Sequence, residues 1–269
     1  MKNRITNLLP LACLSFPWAT TANASLSSEA FVGHGFYDEG TVNVLDSAIS
    51  EFGLNVASSA SDPDYQFSGS ANAYAAYQRL GTYASGTVGE TYFPLEEETD
   101  RSDWFVTWGE ASFSEVLSYG GEFTGYQSKY YLQFTGTLTG SDAFTFIELT
   151  HGDRSQTWSF FGEGTYNIPI TSETFVHGSF EQTFSLRMFS SFQLYAGDYE
   201  DGSSISGTAD FGNTLEVIGV DLRDDTGALR TDITITGDSG SNYDVVAIPE
   251  PSGSLLLALG SLALLARRR

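Results

Sequence analysis

The chain has 269 residues, with 12 basic against 34 acidic side chains and a formal net charge of −22. So acidic a surface repels the phosphates of nucleic acid and of anionic lipid headgroups, which excludes nucleic-acid binding. Aromatic residues make up 14% of the chain, more than a solvated coil carries, so a packed body is expected.

The first residues read as a leader. Lys2 and Arg4 precede a largely apolar run over 5–19, broken by Pro10 and Pro17, and then Ala22-Asn23-Ala24. A basic start, a short apolar stretch and small residues at the end form the pattern of a secretory signal peptide, predicting cleavage after Ala24. Cys13 invites a lipoprotein reading, but Pro10-Leu11-Ala12 fits a lipobox poorly. With cleavage after Ala24 no cysteine remains, so neither disulfides nor thiolate metal sites are open to the mature chain.

Residues 25–248 form the body, 224 residues that suit one large all-β domain. Five basic residues and Glu250 fall outside it, leaving 7 basic against 33 acidic residues, a charge of about −26. Residues 25–89 are weakly patterned: 57–61 holds only Ala and Ser, Asp62-Pro63-Asp64 signals a turn, and 69–86 reads as one or two thin strands. The acidic stretch 95–103 is expected as a short helix or exposed loop, and 90–103 as a weak boundary. Beyond it apolar residues alternate with Thr, Ser and Gly. Strands are predicted over 104–117, 130–138, 143–150, 157–161, 174–177, 183–194, 205–211, 215–222 and 231–236. Turn chemistry separates them at Gly120-Gly121, Gly140-Ser141-Asp142, Gly152-Asp153, Asp201-Gly202 and Gly212-Asn213. Strands at this spacing, with no βαβ rhythm, predict an antiparallel β-sandwich or jelly roll.

The C-terminus has three parts: Pro249-Glu250-Pro251, an uncharged apolar run over 253–266, and Arg267-Arg268-Arg269. The prolines favour an extended backbone that a processing enzyme can grip. The apolar run is expected as one short transmembrane helix, with the arginines on the cytoplasmic side. Its 14 residues reach about 21 Å at ~1.5 Å each. A bilayer core is about 30 Å, and snorkelling and local thinning close part of the difference.

This arrangement resembles the PEP-CTERM sorting signal of exported bacterial proteins, carried here by about 20 residues. The resemblance implies processing by an exosortase after export through the general secretion machinery and signal peptidase. It also implies passage through the inner membrane to the cell surface or extracellular matrix, in a producer that often secretes an exopolysaccharide. Many such proteins carry a run similar to Asp210-Phe211-Gly212-Asn213-Thr214-Leu215 before the tag, which implies a terminal β-hairpin and assigns no activity.

Candidate chemistry is sparse. His34, His151 and His177 each sit beside glycine; no pair has zinc-site spacing, and all three are expected on the surface or in loops. The acidic runs 198–202 and 221–227 make Asp201 and Asp225 calcium candidates, although neither run completes an EF-hand series. Glu110 and Glu148 are the acids to test as a glycosidase pair. No G-x-S-x-G elbow and no cysteine nucleophile accompany them. Trp104, Trp108 and Trp158 lie in strands, where core filling is expected over sugar stacking. The favoured reading is a non-catalytic structural or adhesive protein, with no cofactor beyond a possible calcium. The alternatives are an exopolysaccharide-binding module, marked by an exposed aromatic strip, and a glycan-active enzyme, marked by a cleft with facing carboxylates.

Replacing Pro249, Glu250 and Pro251 by alanine is expected to leave export intact and trap an unprocessed, membrane-held form. N-terminal sequencing should give Ser25 first. Normal release of the alanine variant in cell fractionation would contradict the sorting assignment.

Overall fold

The structure, a computed structural model, describes residues 24–36, 41–63, 66–89, 103–121, 125–140, 142–195 and 204–247. The leader with Ala22, the segment 90–102, Asp201, and the tail with Pro249, Glu250, Pro251, Arg267, Arg268 and Arg269 lie outside the described residues. Two antiparallel sheets pack face to face as a β-sandwich, and no helix among the described residues is long and apolar enough to cross a membrane.

Sheet A holds β1 (Ser25–Phe36), β2 (Thr41–Ser50), β6 (Asp103–Tyr119), β8 (Ala143–His151), β9 (Arg154–Phe161), β12 (Glu181–Tyr195), β14 (Ile235–Gly237) and β15 (Asn242–Tyr243). Its spine runs β6-β12-β8-β9. On the free side of β6, β1 pairs from Ser25 opposite Ser114 to Phe36 opposite Asp103, while β14 takes Leu117 to Tyr119. Sheet B holds β3 (Val56–Asp62), β4 (Phe67–Ala76), β5 (Arg79–Val88), β7 (Tyr126–Thr139), β10 (Gly164–Thr171), β11 (Phe175–His177) and β13 (Ile205–Asp224). Its order is β10-β7-β13-β5-β4-β3, with β11 continuing the line of β10 along β7. Strands from both sides of 90–102 pair in both sheets, β1 with β6 and β5 with β13.

Period-two alternation explains the layers, because successive side chains in a strand point to opposite faces. In β8 the odd positions, Ala143 to His151, are buried and the even ones half-exposed. The main core joins Phe113, Leu117, Tyr130, Leu132, Phe134, Phe184, Leu186, Phe211 and Leu215, and a smaller one joins Val32, Phe67, Val88, Phe105, Phe192 and Leu194. Between them runs a hydroxyl seam. Ser190 Oγ lies 2.6 Å from Thr82 Oγ1 and 2.7 Å from Thr145 Oγ1, and Thr107 Oγ1 donates to the Ser85 carbonyl at 3.0 Å. Two of these links cross from one sheet to the other.

The sheets can come this close only where side chains are small. A Cβ on Gly109 would stand 2.3 Å from the Asn72 carbonyl oxygen of the opposite sheet, and one on Gly86 would stand 2.3 Å from the Phe192 ring.

Several sequence expectations are corrected. Residues 25–89 form five regular strands, whose Ala, Ser and Gly content suits the narrow gap rather than marking irregularity. Gly212-Asn213 does not end a strand: β13 runs through it, with a register shift between Phe211 and Leu215. The strand expected over 231–236 shrinks to β14, because Thr231 and Asp232 form a turn.

Gly86→Ala should destabilise the fold by about 1–3 kcal/mol, the usual cost of overpacking a filled core. Gly178→Ala, where nothing stands within 4 Å of the new Cβ, should be neutral or slightly stabilising. Denaturant midpoints of the two variants check this contrast.

Candidate functional site

On the outer face of sheet A, aromatic side chains form a row across five adjacent strands: Phe31 of β1, Trp108 of β6, Phe189 of β12, Phe144 and Phe146 of β8, and Phe161 of β9. Register builds the row, since Phe31 pairs with Trp108, Phe189 with Phe146, and Phe144 with Phe161. Ring centroids lie 5.4 Å apart for Phe31 and Trp108, 5.7 Å for Trp108 and Phe189, and 5.0 Å for Phe189 and Phe146, with interplanar angles of 15°, 28° and 20°. Phe144 continues it to Phe161 at 5.8 Å. Nearly parallel rings at these distances are offset stacks, each covering part of its neighbour and leaving the rest to solvent. Phe189, in the middle, is 8% exposed and Phe161, at the end, 60%; the others are half-buried.

A polar row runs beside it, two residues along each strand. Glu29 pairs with Glu110, and Arg187 with Glu148. The Arg187 guanidinium donates to both oxygens of Glu110 at 2.7 Å each and approaches Glu148 Oε2 at 3.7 Å. It also lies over the Phe146 ring, 5.3 Å from the centroid, a cation–π distance. Burial raises the pKa of Glu29, and the charge of Glu110 adds to the effect. The two acids singled out as a glycosidase pair are thus brought together by the fold, with a guanidinium placed between them. They share a strut on a sheet face rather than facing each other across a cleft.

Placement of the remaining candidates differs from expectation. Trp108 faces outward in the row instead of filling the core. Trp158 does pack against the main core, and of Trp104 only the backbone is described. All three histidines are buried rather than on the surface. His34 Nδ1 stands 3.2 Å from Asp62 Oδ2. His151 and His177 end β8 and β11 pointing inward, 5.1 Å apart between ring centroids. With them sit Tyr119 and Tyr130, whose hydroxyls are 3.2 Å apart, and His151 Nε2 lies 3.1 Å from the Tyr119 hydroxyl.

Next to this cluster is Glu115, 1% exposed, which sequence reasoning missed. Its carboxylate accepts from Tyr243 and from Ser239 Oγ at 2.5 Å, and it occupies the space a Cβ on Gly237 would need. Burial raises its pKa, against the lowering pull of the Ser239 and Tyr243 hydrogen bonds. The signal was available: Glu115 has the same strand parity as Phe113 and Leu117, both in the core.

In the loop of Asp225 the carboxylates are held by arginines. Arg223 Nε donates to Asp221 at 2.8 Å and Arg230 Nε to Asp232 at 2.9 Å. Asp224 Oδ1 accepts from the backbone of Thr226 and Ala228, closing the turn. Asp225 itself is exposed. No group of three or more His, Cys, Asp or Glu placed to hold a metal occurs among the described residues. A polar cleft of about 160 Å³ on the outer face of sheet B is lined by Gln127, Lys129, Thr174, Asp221, Arg223 and Gly227. Compared with known protein families, curated proteins and solved structures, the chain matches none.

The buried histidines set a pH dependence. Burial depresses the pKa of His151 to about 3, reinforced by neighbouring His177, and burial lowers that of His177 too. The unfolded chain binds these protons near pH ~6.5 and the native state does not, so stability falls as pH drops below that value. The slope is on the order of 1 kcal/mol per pH unit per histidine. Glu29 and Glu115, whose folded pKa values are raised, oppose it toward lower pH. Denaturant midpoints at about pH 7.5 and about pH 5.5 should show the wild type weaker at the lower pH, and His151→Phe/His177→Phe should lose most of that fall.

Proposed function

We propose that this is an exported, non-catalytic, adhesive protein, which holds polysaccharide outside the cell through the aromatic face of sheet A. The aromatic row is the observation that carries the adhesive reading. A pyranose ring has an apolar C–H face and a rim of hydroxyls, and a sheet face with aromatic rings beside carboxylates offers a counterpart to each. The rings are partly covered by one another, and the surface they leave, largest at Phe161, supports an occupant on this face.

Export and sorting rest on the two ends of the chain. A signal peptide cut after Ala24 delivers the body outside. Pro249-Glu250-Pro251, the short transmembrane helix and Arg267-Arg268-Arg269 hold it in the inner membrane until an exosortase processes it, after which it joins the cell surface or matrix. The Glu110–Arg187–Glu148 strut supports the non-catalytic part, because a general acid and its partner need room for a substrate between them. A charge of about −26 on the body adds solubility in a hydrated matrix.

Trp108→Ala/Phe161→Ala should be exported and processed normally but recovered in the medium instead of with the polysaccharide fraction. Retention weaker by about tenfold, equivalent to ~1.4 kcal/mol, is expected. Unchanged association of that variant with the cell surface would leave a purely structural role as the better reading.

A further inference from the structure

We infer that the outer face of sheet A selects a neutral, hydroxyl-rich glycan chain lying across the strands, and that the Glu29–Glu110–Arg187–Glu148 row rejects acidic glycans. The inference rests on the adhesive reading and adds the ligand class and the residues that set it.

Direction follows from the row itself. Its rings step from strand to strand, so a chain that follows them runs perpendicular to the strands. Four inter-strand steps of ~4.8 Å give a track of about 19 Å, long enough for several sugar rings. A ligand lying on that track meets the polar row along one flank. There the carboxylates of Glu110 and Glu148 keep lone pairs that can accept hydroxyl protons, and such charge-assisted bonds are the stronger kind.

Charge sets the class. The polar row carries three carboxylates and one guanidinium, and the one other arginine or lysine on the five strands is Arg154, which opens β9 opposite His151 and outside the polar row. Arg187 turns Nε and Nη2 to Glu110 and Nη1 to Glu148. The cation that could grip a uronate or sulfate in bidentate fashion is already held by the protein's own acids. A uronic-acid or sulfated polymer would bring its charges against Glu29, Glu110 and Glu148 within a molecule that is acidic throughout. A neutral polyol meets the same carboxylates as acceptors. A second copy of this chain is disfavoured for the reason an acidic glycan is.

The test is affinity electrophoresis of the full chain in gels containing a neutral polysaccharide (glucomannan, xylan or β-glucan) or an acidic one (alginate or polygalacturonate), at low and high salt. Retardation by at least one neutral polymer and by neither acidic polymer is expected at low salt. About tenfold weaker retardation is expected for Phe161→Ala, which alters a largely exposed ring and leaves the core intact. Glu110→Gln/Glu148→Gln, which removes two of the negative charges beside Arg187, should gain retardation by the acidic polymers. Equal or tighter binding of an acidic polymer by the wild type overturns the neutral assignment while the adhesive reading stands. No retardation by any polymer, or Trp108-dependent self-association in its place, overturns both.

Discussion

The register of β12 against β6 runs from Glu181 opposite Ser118 to Tyr195 opposite Trp104, and nearly everything else hangs on it. Side chains alternate between faces, so a slip of one residue would exchange the two. In the observed register Phe113, Glu115, Leu117, Phe184, Leu186 and Met188 go to the core, while Trp108, Glu110, Arg187 and Phe189 go to solvent. The same pairing aligns β8 behind β12 and β1 behind β6. Core and candidate site are therefore two readings of one alignment, and the strands that carry the site cannot shift without unpacking the interior.

How the two faces are held differs in kind. Inside, burial of large apolar side chains dominates, with a hydroxyl seam where the gap narrows. At one end Glu115 is enclosed with its hydrogen bonds made: it is tied to β15 through Tyr243, so the hairpin of β14 and β15 is latched to β6 by a buried acid. Such a group costs several kcal/mol to enclose unless its hydrogen bonds are made, and both its oxygens have donors. Outside, the aromatic row is secured by partial overlap of neighbouring rings and by the Arg187 strut. These weaker links leave ring surface available.

Much of the architecture was legible from alternation. The strands β6 to β9 and β11 to β13 stand close to where Thr, Ser and Gly alternate with large apolar residues, and the antiparallel class follows, while β10 and β15 lie outside the predicted strands. What failed has physical causes. Alternation separates two faces without saying which is inside, so bulk alone suggests core filling for Trp108, although its parity partner Glu110 marks that face as the wet one. Glycine neighbours suggest loops for the histidines, whereas parity points inward: His151 follows Ile147 and Leu149 on the buried side. Strands β1 to β5 carry small residues because the gap there is narrow, and a pattern that weighs bulk sees them poorly. Gly212-Asn213 looks like a turn because those residues also suit an irregularity within a pair of strands. The aromatic row needs five strands placed side by side, and one sequence cannot give cross-strand neighbours.

The end of the described chain also sets how the body would respond to a pull. After β15 the backbone lies parallel to β13: Val245 bridges Val220, with Val220 N donating to the Asp244 carbonyl and Val246 N to the Val220 carbonyl. A pull at residue 247, directed along the chain, reaches these bonds together, in shear, instead of opening them one at a time as a peeled hairpin would. Behind them β13 is bonded to β7, Val220 opposite Tyr130, and β5 joins it only up to Glu216, so force entering there passes first into β7. The two bonds at Val220 therefore break together rather than in sequence when the chain is drawn along its own direction.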